Sequence, residues 1–149
     1  MAKKNRLTLD FDGFDELLNN LKALEGNVKE TTEDALKESR GFIAENLHNA
    51  MKPHTAKSKR NKHTEDAIRD DTTVTWIGTR AEIPVGFDIK NGGLVSVFLM
   101  YGTKLHGTQH IKPDKKLYNA IYGKATKNKV AEIQRKAFDK AIQDAMKGN

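Results

Sequence analysis

Hydrophobic positions recur at helical spacing towards both ends of this 149-residue chain, and they alternate or cluster in its middle. Leu7 and Leu9 alternate with polar neighbours, so residues 1–9 are expected to be a flexible or edge-strand arm. Asp12 is placed to cap a first short helix, with Asp15 favouring its dipole. Phe14, Leu17, Leu18, Leu21 and Leu24 then follow at steps of three and four, and Gly26 closes the helix.

A longer second helix is predicted from about Val28 to Met51, with Thr31 or Thr32 as its cap if it starts later. Val28, Ala35, Phe42 and Asn49 lie seven apart, and Leu36, Ile43, Leu47 and Ala50 widen the stripe. Pro53 ends it, because proline has no amide hydrogen to continue the ladder. Residues 52–66, KPHTAKSKRNKHTED, are polar and mostly basic without hydrophobic period, so a mobile loop is expected. Ala67 and Ile68 would anchor its return to the core.

The middle of the chain reads as a sheet. Thr72–Gly78 alternates and is rich in β-branched residues, and Glu82–Phe87 is a second short strand whose Pro84 suggests an edge. Asn91-Gly92-Gly93 is the clearest turn signal, read as a hairpin turn before a third and most buried strand, Leu94–Tyr101. Residues 102–113 are a loop ending at Pro113. Beyond it the pattern is helical, with Leu117, Tyr118 and Ile121 before a break at Gly123. Val130, Ile133, Ala137, Phe138, Ala141, Ile142, Ala145 and Met146 give a sustained stripe after the break. The expected fold is α+β: a short N-terminal helix, a long helix, a three-stranded antiparallel sheet, and a long C-terminal helix packed on that sheet.

Size and composition bound this picture. The length suits a single domain, residues 1–149, with one core. At 37% hydrophobic and 31% charged the core must be thin, or some apolar faces must be buried only in an assembly. The apolar run Leu94–Met100 is far too short to span a membrane, and no membrane partner is expected. The start MAKKNRLTLDFDG turns from basic to acidic without an apolar region, so no secretory leader is expected.

The net charge of +6 is unevenly spread. Residues 1–50 hold seven Lys/Arg against ten Asp/Glu, residues 51–100 eight against six, and residues 101–149 eleven against four. An acidic front and a basic back suit head-to-tail association of copies, or one basic face turned to nucleic acid.

Catalytic chemistry finds little support. The absence of cysteine excludes disulfides, Cys zinc sites and Cys nucleophiles. Ser39, Ser58 and Ser96 all lack the surround of a strained nucleophile elbow. His106 and His110 are four apart, a metal-binding spacing on a helix, but Gly107 and Pro113 point to a loop; His48, His54 and His63 form no pattern with them. Asp70-Asp71 reads as a turn or cap, and no phosphate-binding glycine loop occurs. No cofactor and no metal are expected. The basic loop carries Lys52, Lys57, Lys59, Arg60 and Lys62, able to touch phosphates without reading sequence, but it lacks aromatics to stack on bases.

Four stretches resemble, in order and spacing, the head–tail joining proteins of long-tailed bacteriophages, also described as tail-completion or neck proteins. FDGFDELLNNLKAL is similar to the family's opening of a glycine, an aromatic, two acidic residues and spaced leucines. KHTEDAI at Lys62–Ile68 resembles its short motif before the first strand, with His63, Asp66 and Ile68 matching. VFLMYGT at Val97–Thr103 resembles its strand ending in an aromatic, Gly and Thr, with Met100 where an acidic residue is common. HIKPDKKLYNAI resembles the proline entry to its last helix, with Asp114 in place of a small residue. The resemblance covers residues 10–145, and the basic insertion at Lys57–Lys62 is its main departure.

The resemblance implies a non-enzymatic virion protein of the phage neck, made in the host bacterial cytoplasm. It implies a homo-oligomeric ring of six copies around the DNA channel, between the head connector or stopper and the tail terminator or tail tube proteins, with nonspecific contact to DNA in the channel. Tyr101, Gly102 and Thr103 would set the strand-to-loop turn, and Lys104, His106, His110 and Lys112 would line a docking loop or the channel. A tail terminator capping the tail tube is the nearest alternative within the same class. A free nonspecific nucleic-acid-binding protein is the alternative outside it, and a toxin-like nuclease lacks the convergent site it needs.

Overall fold

A computed structural model describes residues 28–54 and 63–147. Helix α1 spans Val28–Met51. Two hairpins follow at different places in the chain, β1 (Thr75–Ile77) with β2 (Arg80–Glu82), and β3 (Thr103–Leu105) with β4 (Thr108–Ile111). Between the hairpins lies helix α2, Leu94–Tyr101. Helices α3 (Lys115–Tyr122) and α4 (Lys124–Lys147) complete the described fold. The expected arm at 1–9 and the first helix at 12–26 lie outside the described residues.

The long helices are the spine. α1 has the bounds its hydrophobic stripe predicts, and Leu36, Ile43, Leu47 and Met51 are buried along one side. Each such side chain stabilises the fold by about 1.5–3 kcal/mol relative to exposure. Thr32 is not a cap: it is buried inside the helix, its hydroxyl donating to the Val28 carbonyl at 2.7 Å. Val130, Ile133 and Phe138 of α4 are buried too, and α4 packs on α1 and α3. The cap of α3, Asp114, is held against His54 just past the end of α1, and Lys136, midway along α4, feels the charge of Glu38 midway along α1. Gly123 separates α3 from α4, as the pattern predicts.

The expected three-stranded antiparallel sheet is not formed. Among the described residues the fold is mostly helical, with two separate two-stranded sheets, and α4 packs on helices rather than across a sheet. Two physical reasons account for the difference. First, residues 83–87 do alternate, burying Ile83, Val85 and Phe87, yet they join no ladder; Phe87 makes only an isolated bridge to Ile68. Pro84 removes one donor from that stretch. Second, Leu94–Tyr101 is a helix instead of the third strand. A short apolar run carries no period that separates strand from helix. Among the described residues β1–β2 and β3–β4 pair only within themselves and offer a strand at 94–101 no partner for its backbone, whereas a helix satisfies its own. Asn91-Gly92-Gly93 is a turn, but it leads into this helix, with the Asp88 carboxylate accepting from the Lys90 amide and the Asn91 side chain.

Candidate assembly surface

The seven residues singled out at 101–112 come together at one end of the molecule. Tyr101 is the last residue of α2 and is exposed. Gly102 ends the helix, its amide donating to the Phe98 carbonyl at 2.8 Å. Its φ of 72° is left-handed, and a Cβ there would lie 2.5 Å from the Ile111 carbonyl oxygen and 2.9 Å from Pro113 Cδ. Glycine is therefore required both by conformation and by space. Thr103 opens β3, opposite Ile111.

The expected loop at 102–113 is instead a β-hairpin. Lys104 faces Gln109 and Leu105 faces Thr108, which leaves His106-Gly107 as a two-residue tip. Both tip residues have positive φ, 49° and 78°, the backbone of a type I′ turn whose twist matches the strands it joins. The register shift between Thr103 and Lys104 leaves His110 as the extra residue of a β-bulge. His106 and His110 are thus at the tip and the base of a hairpin, both exposed. Lys104 and Lys112 are exposed on the same hairpin and its exit.

The hairpin is clamped to the helices. The Asp114 amide donates to the Leu99 carbonyl at 2.8 Å, closing the chain back on α2. The Asp114 carboxylate caps α3 by accepting from the Leu117 amide at 3.0 Å, and meets His54 Nε2 at 2.6 Å. Burial opposes ionisation of this carboxyl, but the hydrogen bonds from His54 and from the first amides of α3 outweigh it and hold its pKa below the ordinary carboxylate value. Asp114 is the residue that composition-level reading passed over. Its signal was its place after Pro113 and directly before the apolar period of α3.

Next to the hairpin lies an apolar face. Ser96 and Met100 of α2 are buried, with the Ser96 hydroxyl donating to the Gly93 carbonyl at 2.6 Å. The opposite side of the same helix presents Leu94, Val95, Phe98 and Tyr101, of which Leu94 is 51% exposed, Phe98 43% and Tyr101 59%. These four positions share one helical face. Tyr101 carries the face onto α3 through an edge-on contact with Tyr118 at 5.8 Å, and Tyr118 continues to Tyr122 at 5.0 Å. Burial first, then Tyr101 and Tyr118, push the Tyr122 phenol above its ordinary pKa. This apolar face is a candidate contact surface.

The other candidates are dispersed. Lys52 is exposed in a 3₁₀ turn, Lys52–His54, directly after α1, while Lys57, Lys59, Arg60 and Lys62 lie outside the described residues. The flanks of the expected 52–66 loop are held: His48 meets Glu65 at 3.2 Å, and a second 3₁₀ turn spans Thr64–Ala67. Ser39 is buried and bonded to the Ala35 carbonyl. Asp71 accepts from the Thr73 amide at 2.8 Å, the turn role its position suggests. Among the described residues no three His, Asp or Glu side chains gather as metal ligands, and no helix is long and apolar enough to cross a membrane.

Comparison of the chain with protein-family models, curated proteins and solved structures found no match.

Proposed function

We propose that the chain is a structural subunit of a phage neck, joining the head connector to the tail as one member of a ring around the DNA channel, and not an enzyme. The observation that carries this reading is the exposed α2 face, Leu94, Val95, Phe98 and Tyr101, continuous with the hairpin that follows the Tyr-Gly-Thr motif. A surface of this kind suits permanent contact with protein neighbours, because its burial in an assembly recovers the hydrophobic stabilisation that the isolated chain forgoes. The uneven charge supports contacts of head-to-tail kind, which close into rings.

A second reading, nonspecific nucleic-acid binding, is favoured by one observation. Exposed Tyr101 and Tyr118 adjoin the cationic stretch that carries Lys104, Lys112, Lys115 and Lys116. The solution mass of the purified chain, by light scattering at low and moderate salt, separates the two. The neck reading expects a closed ring. A monomer that retards short duplex DNA with steep salt dependence would replace it with the second reading.

A further inference from the structure

The apolar face of α2 needs an occupant, and the chain carries a segment of matching chemistry. Residues 12–24 place Phe14, Leu17, Leu18, Leu21 and Leu24 at steps of three and four, the spacing of a helix that lays one side into an apolar groove. The segment is acidic, with Asp12, Asp15 and Glu16 against the single Lys22. The rim of the α2 face is basic, with exposed Lys104, Lys112, Lys115 and Lys116 on the hairpin and the start of α3. Apolar stripe meets apolar face, and acidic flank meets basic rim.

Reach favours a second copy. Asp114, at the tyrosine end of the face, sits against His54 just beyond the far end of α1. From residue 28 to residue 54 the helical path is about 39 Å. The link at residues 25–27 keeps Leu24 within about 14 Å of residue 28, so within one chain Leu21 and Leu24 fall short of the tyrosine end of the face. We propose that the α2 face is the docking site for residues 12–24 of a second copy of this chain. Such a contact joins two different surfaces: passed from copy to copy in one direction it propagates and closes into a ring, whereas a reciprocal exchange stops at a pair. The proposal rests on the ring reading above and specifies its contact.

The cysteine-free chain allows a direct test with the full-length protein. One preparation carries Leu21→Cys, a second Phe98→Cys, and a third Lys140→Cys on the exposed side of α4, the control position. The first two, mixed and mildly oxidised, are expected to give a disulfide-linked pair in about tenfold excess over the Leu21→Cys and Lys140→Cys mixture, because docking raises the local thiol concentration. Yields equal to the control would overturn the proposal. So would a Leu21→Cys/Phe98→Cys double variant that closes within one chain. The wild-type mass keeps the two ideas apart. A ring without the specific link leaves the neck reading standing and removes this contact, whereas the link in a species that never exceeds two copies keeps the contact and removes the ring.

Discussion

The two long helices and the α2–hairpin–α3 end use their apolar residues in opposite ways. Along the spine, Leu36, Ile43 and Leu47 of α1 and Val130 and Phe138 of α4 face inward, and the outer surface carries pairs such as Lys136–Glu132 and Lys37–Glu33. At the other end, α2 has no charged residue, buries Ser96 and Met100, and turns Leu94, Val95, Phe98 and Tyr101 outward. The spine shares its core with Ile83, Val85 and Phe87, with Met100 of α2 and with Leu117 and Ile121 of α3. The α2 end thus contributes one face to that core and leaves the other, Leu94, Val95, Phe98 and Tyr101, uncovered. The difference teaches that hydrophobic content does not report how finished a region is; what covers each side chain does.

The contrast predicts a graded series of effects. Leu47→Ala removes a fully buried side chain from the spine and is expected to cost about 2–5 kcal/mol in denaturant unfolding. Gly102→Ala strikes the joint between α2 and its hairpin, where a Cβ would meet the Ile111 carbonyl in a left-handed backbone. A loss of about 1–3 kcal/mol is expected, and an unchanged midpoint would show that the joint relaxes freely.

Asp114→Asn tests the clamp more gently. It keeps the shape of the cap but weakens the bonds from the α3 amides and from His54, for an expected loss of about 1–2 kcal/mol. The same residue gives a pH dependence. Its folded pKa lies below its unfolded value, so ionised Asp114 contributes stability that is present above the unfolded value and lost as pH falls through the folded one. Thermal melts of the wild type should therefore drop between about pH 5 and pH 2 by more than those of Asp114→Asn. Equal drops in the two proteins would mean that the clamp carries no ionisation-linked stability.

The smallest effect on folding is expected at the surface proposed for assembly. Phe98→Ala truncates a half-exposed ring and should cost about 1 kcal/mol or less, while lowering the mass seen by light scattering. A stability loss as large as that of Leu47→Ala would erase the distinction between the two regions.

Legibility in the sequence followed the same division. The course of α1 and its end at Met51 were readable because a long stripe and Pro53 specify them locally. The break at Gly123 and the stripe of α4 were readable for the same reason. The Tyr-Gly-Thr stretch drew attention to the end that carries the exposed α2 face, yet the residues around it were assigned the wrong states: Leu94–Tyr101 as a strand and 102–113 as a loop. His106-Gly107 carried the hairpin signal weakly, since histidine is not a usual first residue of a type I′ turn.

By itself, then, the sequence determined the elements whose instructions are local: long amphipathic periods, a proline stop, a glycine break, and the opposite charge of the two ends. Tertiary structure alone decided the rest. An eight-residue apolar run is helix or strand according to whether a neighbouring strand offers partners to its backbone, and among the described residues none does. Whether Phe98 is core or surface depends on which elements lie against it, which are distant in the chain. Local patterns carry information over one turn of helix or one pair of strand residues, and the covering of a face is set by contacts between elements that such patterns do not encode.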